Sequence, residues 1–156
     1  MQVRDVMTAM PTTIDPDAPV ETAVAVMRER GVRHLPVVDG QGRLIGIVTD
    51  RDLRSAMFGA GLVEHLPADQ GGRLRALTAV LNDVRVSHVM TWGVVTVGPE
   101  APVGQAAAIM ANVRIGSLPV VEGPRLVGIV TEHDALKALA ATLPCIRGAD
   151  PDTYLW

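Results

Sequence analysis

Two short segments carry the side chains best placed to do chemistry. Gly46-Ile47-Val48-Thr49-Asp50-Arg51-Asp52 and Gly128-Ile129-Val130-Thr131-Glu132-His133-Asp134 each set a hydroxyl three residues ahead of a carboxylate, directly after an apolar run. At a strand-to-helix junction this spacing has two uses. The Thr oxygen can accept an amide hydrogen bond from the first helical turn while the acid sits at the positive end of the helix dipole, which is a cap. The same free amides and hydroxyl can instead receive a phosphate, and the carboxylate can accept hydrogen bonds from a ribose diol. Both can hold at once, because a nucleotide would use the same helix end.

The two segments have different surroundings. Arg33-His34 precedes Leu35-Pro36, whereas Gly116-Ser117 precedes Leu118-Pro119, and His133 stands where the first segment has Arg51. Arg33, His34 and Arg51 can donate charged hydrogen bonds to a phosphate, with a merely solvated arginine as the plainer alternative. His133 would make its site sensitive to pH. No Ser/His/Asp, Cys/His or paired-carboxylate set stands out, and Cys145 has no recognisable base beside it, so catalysis is not expected. A divalent-ion site at His133, Asp134 and neighbours is a lesser alternative, and no metal ligand set is assigned. His65 and His88 read as surface residues.

These segments sit inside a repeat. Val6-Met7-Thr8 returns as Val89-Met90-Thr91 and Leu35-Pro36-Val37-Val38 as Leu118-Pro119-Val120-Val121, both at an offset of 83; one residue is then lost in a turn, and Gly46-Ile47-Val48-Thr49 returns as Gly128-Ile129-Val130-Thr131 at 82. Each copy predicts strand, helix, strand, hairpin, strand, helix. In the first copy a short strand is expected over 12–14. A helix follows from Pro19 to about Arg30, with Val20, Ala23, Val24 and Met27 on one face and Gly31 as its left-handed stop. Strands over 34–38 and 44–48 flank a hairpin turn at 39–42, and a second helix begins near Thr49.

The chain therefore divides into repeat 1 over 1–57, an insert over 58–85 with a helix expected over 74–81, repeat 2 over 86–142, and a tail over 143–156 whose Tyr154-Leu155-Trp156 suggests docking on the body or on a partner subunit. A 156-residue chain that is 48% hydrophobic and 20% charged can bury a real core. Its net charge of −3, without a Lys/Arg block, argues against nucleic-acid binding. Thirteen of its fourteen basic residues are arginine, which suits bidentate phosphate contacts or simply reflects genome composition. One cysteine and no apolar run of signal or membrane-span length point to a reducing, cytoplasmic setting.

The repeated Gly-hydrophobic-x-Thr-x-x-Asp, the Leu-Pro-Val-Val strand and the Val-Met-Thr leader resemble the CBS domain, whose tandem pairs form Bateman modules. The resemblance covers roughly residues 1–140. It implies an α+β fold of two tandem β-α-β-β-α repeats packed sheet against sheet about a pseudo-twofold axis, and a non-catalytic sensor of AMP, ADP or ATP. It further implies that Asp52 and Asp134 hold ribose hydroxyls, that Thr49 and Thr131 approach phosphates, and that the segments around Thr13, Ile14, Thr96, Val97, Leu35, Pro36, Leu118 and Pro119 frame the adenine. S-adenosylmethionine would share the adenosine contacts; a ligand-free dimerisation scaffold is the alternative. Exposed apolar helix faces predict a homodimer, and regulation would act on a partner in trans. Arg33-His34-Leu35-Pro36 and Thr49-Asp50-Arg51-Asp52 more loosely resemble the CBS region of the bacterial acetoin-utilisation accessory type.

Overall fold

The computed structural model describes residues 1–59 and 83–142; the helix expected over 74–81 and the C-terminal tail lie outside the described residues. A 3-10 turn at Val3–Asp5 leads into β1 (Thr8–Ala9), α1 (Val20–Arg30), β2 (His34–Val38), β3 (Leu44–Thr49) and α2 (Asp50–Gly59). The second copy follows with α3 (Val86–Val89), β4 (Thr91–Trp92), α4 (Val103–Val113), β5 (Ser117–Glu122), β6 (Arg125–Thr131) and α5 (Glu132–Thr142). The architecture is α+β, as expected.

Local chemistry sets these limits. Pro19 caps α1 with an extended backbone, and Gly31 ends the helix at φ 64°. Arg114 takes the same left-handed turn after α4, at φ 60°. The turn at 39–42 is held by the Asp39 carboxylate, which accepts from the Gln41 and Arg43 amides at 2.9 and 3.0 Å, a side-chain substitute for backbone pairing.

The short strand expected over 12–14 forms instead at Thr8–Ala9. Ile14 makes one bridge to Val37 and no ladder. It sits between Pro11 and Pro16, which lack an amide to extend pairing in either direction.

Each sheet is built from both repeats. Strand β1 of the first copy pairs with β6 of the second, Thr8 opposite Ile129, while β4 of the second pairs with β3 of the first, Thr91 opposite Ile47. These two pairings map onto each other when the copies are exchanged, which is the pseudo-twofold relation. The leaders cross over with their strands: Val3 is fully buried with Met110, Leu118 and Val130 of repeat 2, whereas Val86 and Met90 are buried with Val20, Leu35 and Val48 of repeat 1. Backbone bonds fix the exchange, from the Val3 amide to the Ala101 carbonyl at 2.8 Å and from the Val86 amide to the Ala18 carbonyl at 2.9 Å.

The crossover explains why Val-Met-Thr and Gly-Ile-Val-Thr recur together. Met90 lies over Gly46, where a Cβ would come within 2.7 Å of its sulfur and 3.0 Å of the Thr91 carbonyl, and Met7 closes on Gly128 in the same way. Gly46→Ala or Gly128→Ala should overpack this seam and cost about 1–3 kcal/mol. Thermal unfolding measures it; a midpoint unchanged in both variants would show that the methionines simply move aside.

Candidate functional site

Both Thr-x-x-Asp segments close as caps. The Thr49 amide and hydroxyl donate to Oδ2 of Asp52 at 2.8 and 2.7 Å, and the Asp52 amide donates back to Thr49 Oγ1 at 3.3 Å. Thr131 and Asp134 repeat the arrangement at 2.9, 2.7 and 3.3 Å. This is a reciprocal capping box. It occupies one carboxylate oxygen twice and leaves the other, Oδ1, without a hydrogen bond among the described residues.

Beside the second box lies a cavity of about 670 Å³ between the repeats. Repeat 1 contributes Thr8, residues 10–12, the α1 exit over 31–34, and Asp50; repeat 2 contributes Gly116, Ile129, residues 131–133 and Leu136. Of the residues singled out in the sequence, Arg33, His34, Gly116, Thr131 and His133 meet on this cavity. Asp134 is not itself among the lining residues; it accepts from the hydroxyl of Thr131, which is, and keeps Oδ1 uncommitted beside the cavity. Thr49, Arg51 and Asp52 belong to the related junction of repeat 1 and do not line it. Thr96 faces a separate recess of about 260 Å³ near the hairpin turns, and Thr13 is exposed.

The framing residues are mostly core. Leu35, Leu118, Pro36 and Pro119 have fully buried side chains, and Ile14 and Val97 are 6% exposed. The Pro36 and Pro119 carbonyls are taken by the Ile14 and Val97 amides at 3.0 and 3.1 Å. Ser117 is the one polar residue among those described that is buried, at the position His34 holds in repeat 1.

His34 crosses between the repeats. A Cβ on Gly116 would lie 3.4 Å from its Nε2 and 3.8 Å from the Glu132 carboxylate, ordinary contact distances that put the imidazole against repeat 2. Burial pulls the His34 pKa below its ordinary value, with Arg33 acting in the same direction, against the opposing carboxylates of Asp50, Glu132 and Asp52. Between the lowered folded value and the unfolded value near 6.5 the unfolded chain holds the extra proton, so stability is full above that window and is lost as pH falls through it. His34→Gln removes the titration. Its melting temperature should fall less than that of wild type between neutral and mildly acidic pH; equal slopes would take His34 out of the acid response.

Met10 is among the cavity residues that were not foreseen. Met10 is 90% exposed at φ 46°, a left-handed conformation that strains a non-glycine residue. Gly93, at the related position of repeat 2, takes the same turn at φ 63°. Aligning the copies at this point would have exposed the mismatch.

The profile of the CBS domain matches residues 3–59 and 86–141. Three solved structures share the whole arrangement. An acetoin utilization protein, AcuB, of Vibrio cholerae is 29% identical with a TM-score of 0.72, over 90% of this chain and 91% of its own. CBSX2 of Arabidopsis thaliana in complex with AMP is 26% identical with a TM-score of 0.71, over 90% and 96%. The CBS domain pair of protein MJ0100, in complex with 5-methylthioadenosine and S-adenosyl-L-methionine, is 26% identical with a TM-score of 0.73, over 92% and 98%.

Proposed function

Because this chain belongs to the CBS domain family and carries the domain twice in tandem, we propose that it is a regulatory module that binds an adenine nucleotide, AMP, ADP or ATP, between its repeats and so alters a partner protein in trans. One observation carries the reading: the cavity beside the Thr131 box is walled by both repeats. A ligand there touches both halves, so its affinity depends on their spacing, and it favours whichever arrangement it binds better. Arg33 and the His133 amide at the start of α5 suit a phosphate, and the unpaired oxygen of Asp134 suits a ribose diol.

A 5′-thio adenosine is the second reading, favoured by the ligands of the MJ0100 pair. No catalytic cofactor is part of either reading. Among the described residues no helix is long and apolar enough to cross a membrane, and the proposed setting is the cytoplasm. The chain would act as a homodimer. An apolar groove of about 580 Å³ runs between α4 and α5, where Leu136 and Leu139 are 63% and 55% exposed; light scattering at micromolar concentration should give twice the monomer mass.

Calorimetric titration with AMP, ATP and S-adenosylmethionine, after stripping any nucleotide carried through purification, tests the reading. Saturable heat with an adenine nucleotide supports it. Silence with all three would leave a dimerisation scaffold.

A further inference from the structure

The charge lining the cavity bears on which adenosine fits. Its ionised side chains are Arg33 against Asp50 and Glu132, with His34 kept uncharged by its place between the repeats. Arg54, paired with Asp50 at 3.1 Å from outside the lining, brings the local sum only to zero. The rest of the wall joins the uncharged polar side chains of Thr8, Thr12 and Thr131 and the imidazole of His133 to apolar Met10, Pro11, Ile129 and Leu136.

The related junction is different. The repeat puts Arg51 where this cavity has His133, Arg54 where it has Leu136, and Arg114 where it has Gly31. All three arginines are exposed. Arg51 and Arg114 thus fall at the related junction and not on this cavity, while Arg54 is engaged by the Asp50 carboxylate at its edge.

We propose that this cavity takes an adenosine whose 5′ arm carries no more than one phosphate, and turns polyphosphates away. The inference rests on the adenosine reading given above. One phosphoryl group brings about −1.5 to −2 charges at pH 7, which Arg33 and the His133 amide at the start of α5 can meet, the Glu132 and Asp134 amides being taken by the Gly116 carbonyl and the Thr131 hydroxyl oxygen. Every further phosphate enters a space with no surplus cation and with Glu132 already in the wall, so repulsion grows with chain length.

The two isoleucines make the test local. Ile129 lines the cavity and Ile47 is its counterpart across the axis, each 8% exposed. Methyl-labelled full-length protein is titrated with adenosine, AMP and magnesium-free ATP, and the two methyl signals are followed separately. AMP should shift Ile129 at concentrations about tenfold or more below those at which ATP shifts it. Transplanting the counterpart charges with His133→Arg and Leu136→Arg, both exposed positions, should tighten ATP at Ile129 by about tenfold or more while changing AMP less.

ATP shifting Ile129 as readily as AMP would overturn the charge inference and leave the adenosine reading standing. No response of either isoleucine to any of the three would remove the adenosine reading, and the inference with it.

Discussion

Asp134→Asn should weaken binding of the cavity's adenosine ligand roughly 10- to 100-fold while leaving the melting temperature nearly unchanged. The geometry separates the two effects. In the native box Oδ2 accepts from both the Thr131 amide and hydroxyl, and an asparagine can keep its carbonyl oxygen there. Its amide nitrogen then replaces Oδ1, which turns the uncommitted acceptor into a donor. A ribose diol loses the charged acceptor, worth about 1.5–3 kcal/mol, and the helix keeps its cap. Asp134→Ala removes both functions and should add a stability loss of about 0.5–2 kcal/mol. Calorimetry paired with thermal unfolding reads the two quantities apart. If Asp134→Asn binds as wild type does and only Asp134→Ala differs, the carboxylate is a cap and nothing more.

The second large effect concerns folding. Val3→Asp should cost roughly 4 kcal/mol or more, because it sets an unpaired carboxylate where the native side chain is fully buried. The damage should appear far away in sequence. Val3 packs on Leu118, Val120 and Val130, so amide exchange should accelerate first in β5 and β6. Val86→Asp is the mirror case: the residue belongs to the second copy by sequence, yet it lies in the core with Val20, Leu35 and Val48 and should loosen β2 and β3. Each variant loosening its own repeat instead would contradict the exchange of leaders.

That exchange marks where the sequence stops being legible. The 83- and 82-residue offsets, the periodicity of α1 and the Gly31 stop are read directly from the residues, and they foretell α1, β2 and β3 almost residue by residue. Val-Met-Thr, however, is identical in both copies, so its pattern is equally satisfied by either sheet; only tertiary packing decides. The strand expected over 12–14 failed for a more local reason, since Pro11 and Pro16 confine Ile14 to one bridge with Val37, while the partner of Thr8 lies in the other repeat. At the site, the Thr-x-x-Asp boxes were visible because capping is local. Most of the residues that wall the cavity were not, because they depend on how the side chains of one copy fill the space left by the other. The contrast of His133 and Leu136 with Arg51 and Arg54 lay in the aligned copies, but its meaning required knowing that the first of each pair borders a cavity.

The crossed leaders also bear on how the protein is made. Thr8 emerges from the ribosome about 120 residues before its partner Ile129, a delay on the order of ten seconds at ordinary synthesis rates. Throughout that interval Val3 has no core to enter, and the first repeat waits for Val86 and Met90. The first repeat can close once Val86 to Trp92 has emerged, whereas the second sheet waits for Ile129. Its closure is a late, long-range pairing, and a slow final folding phase is the expected result.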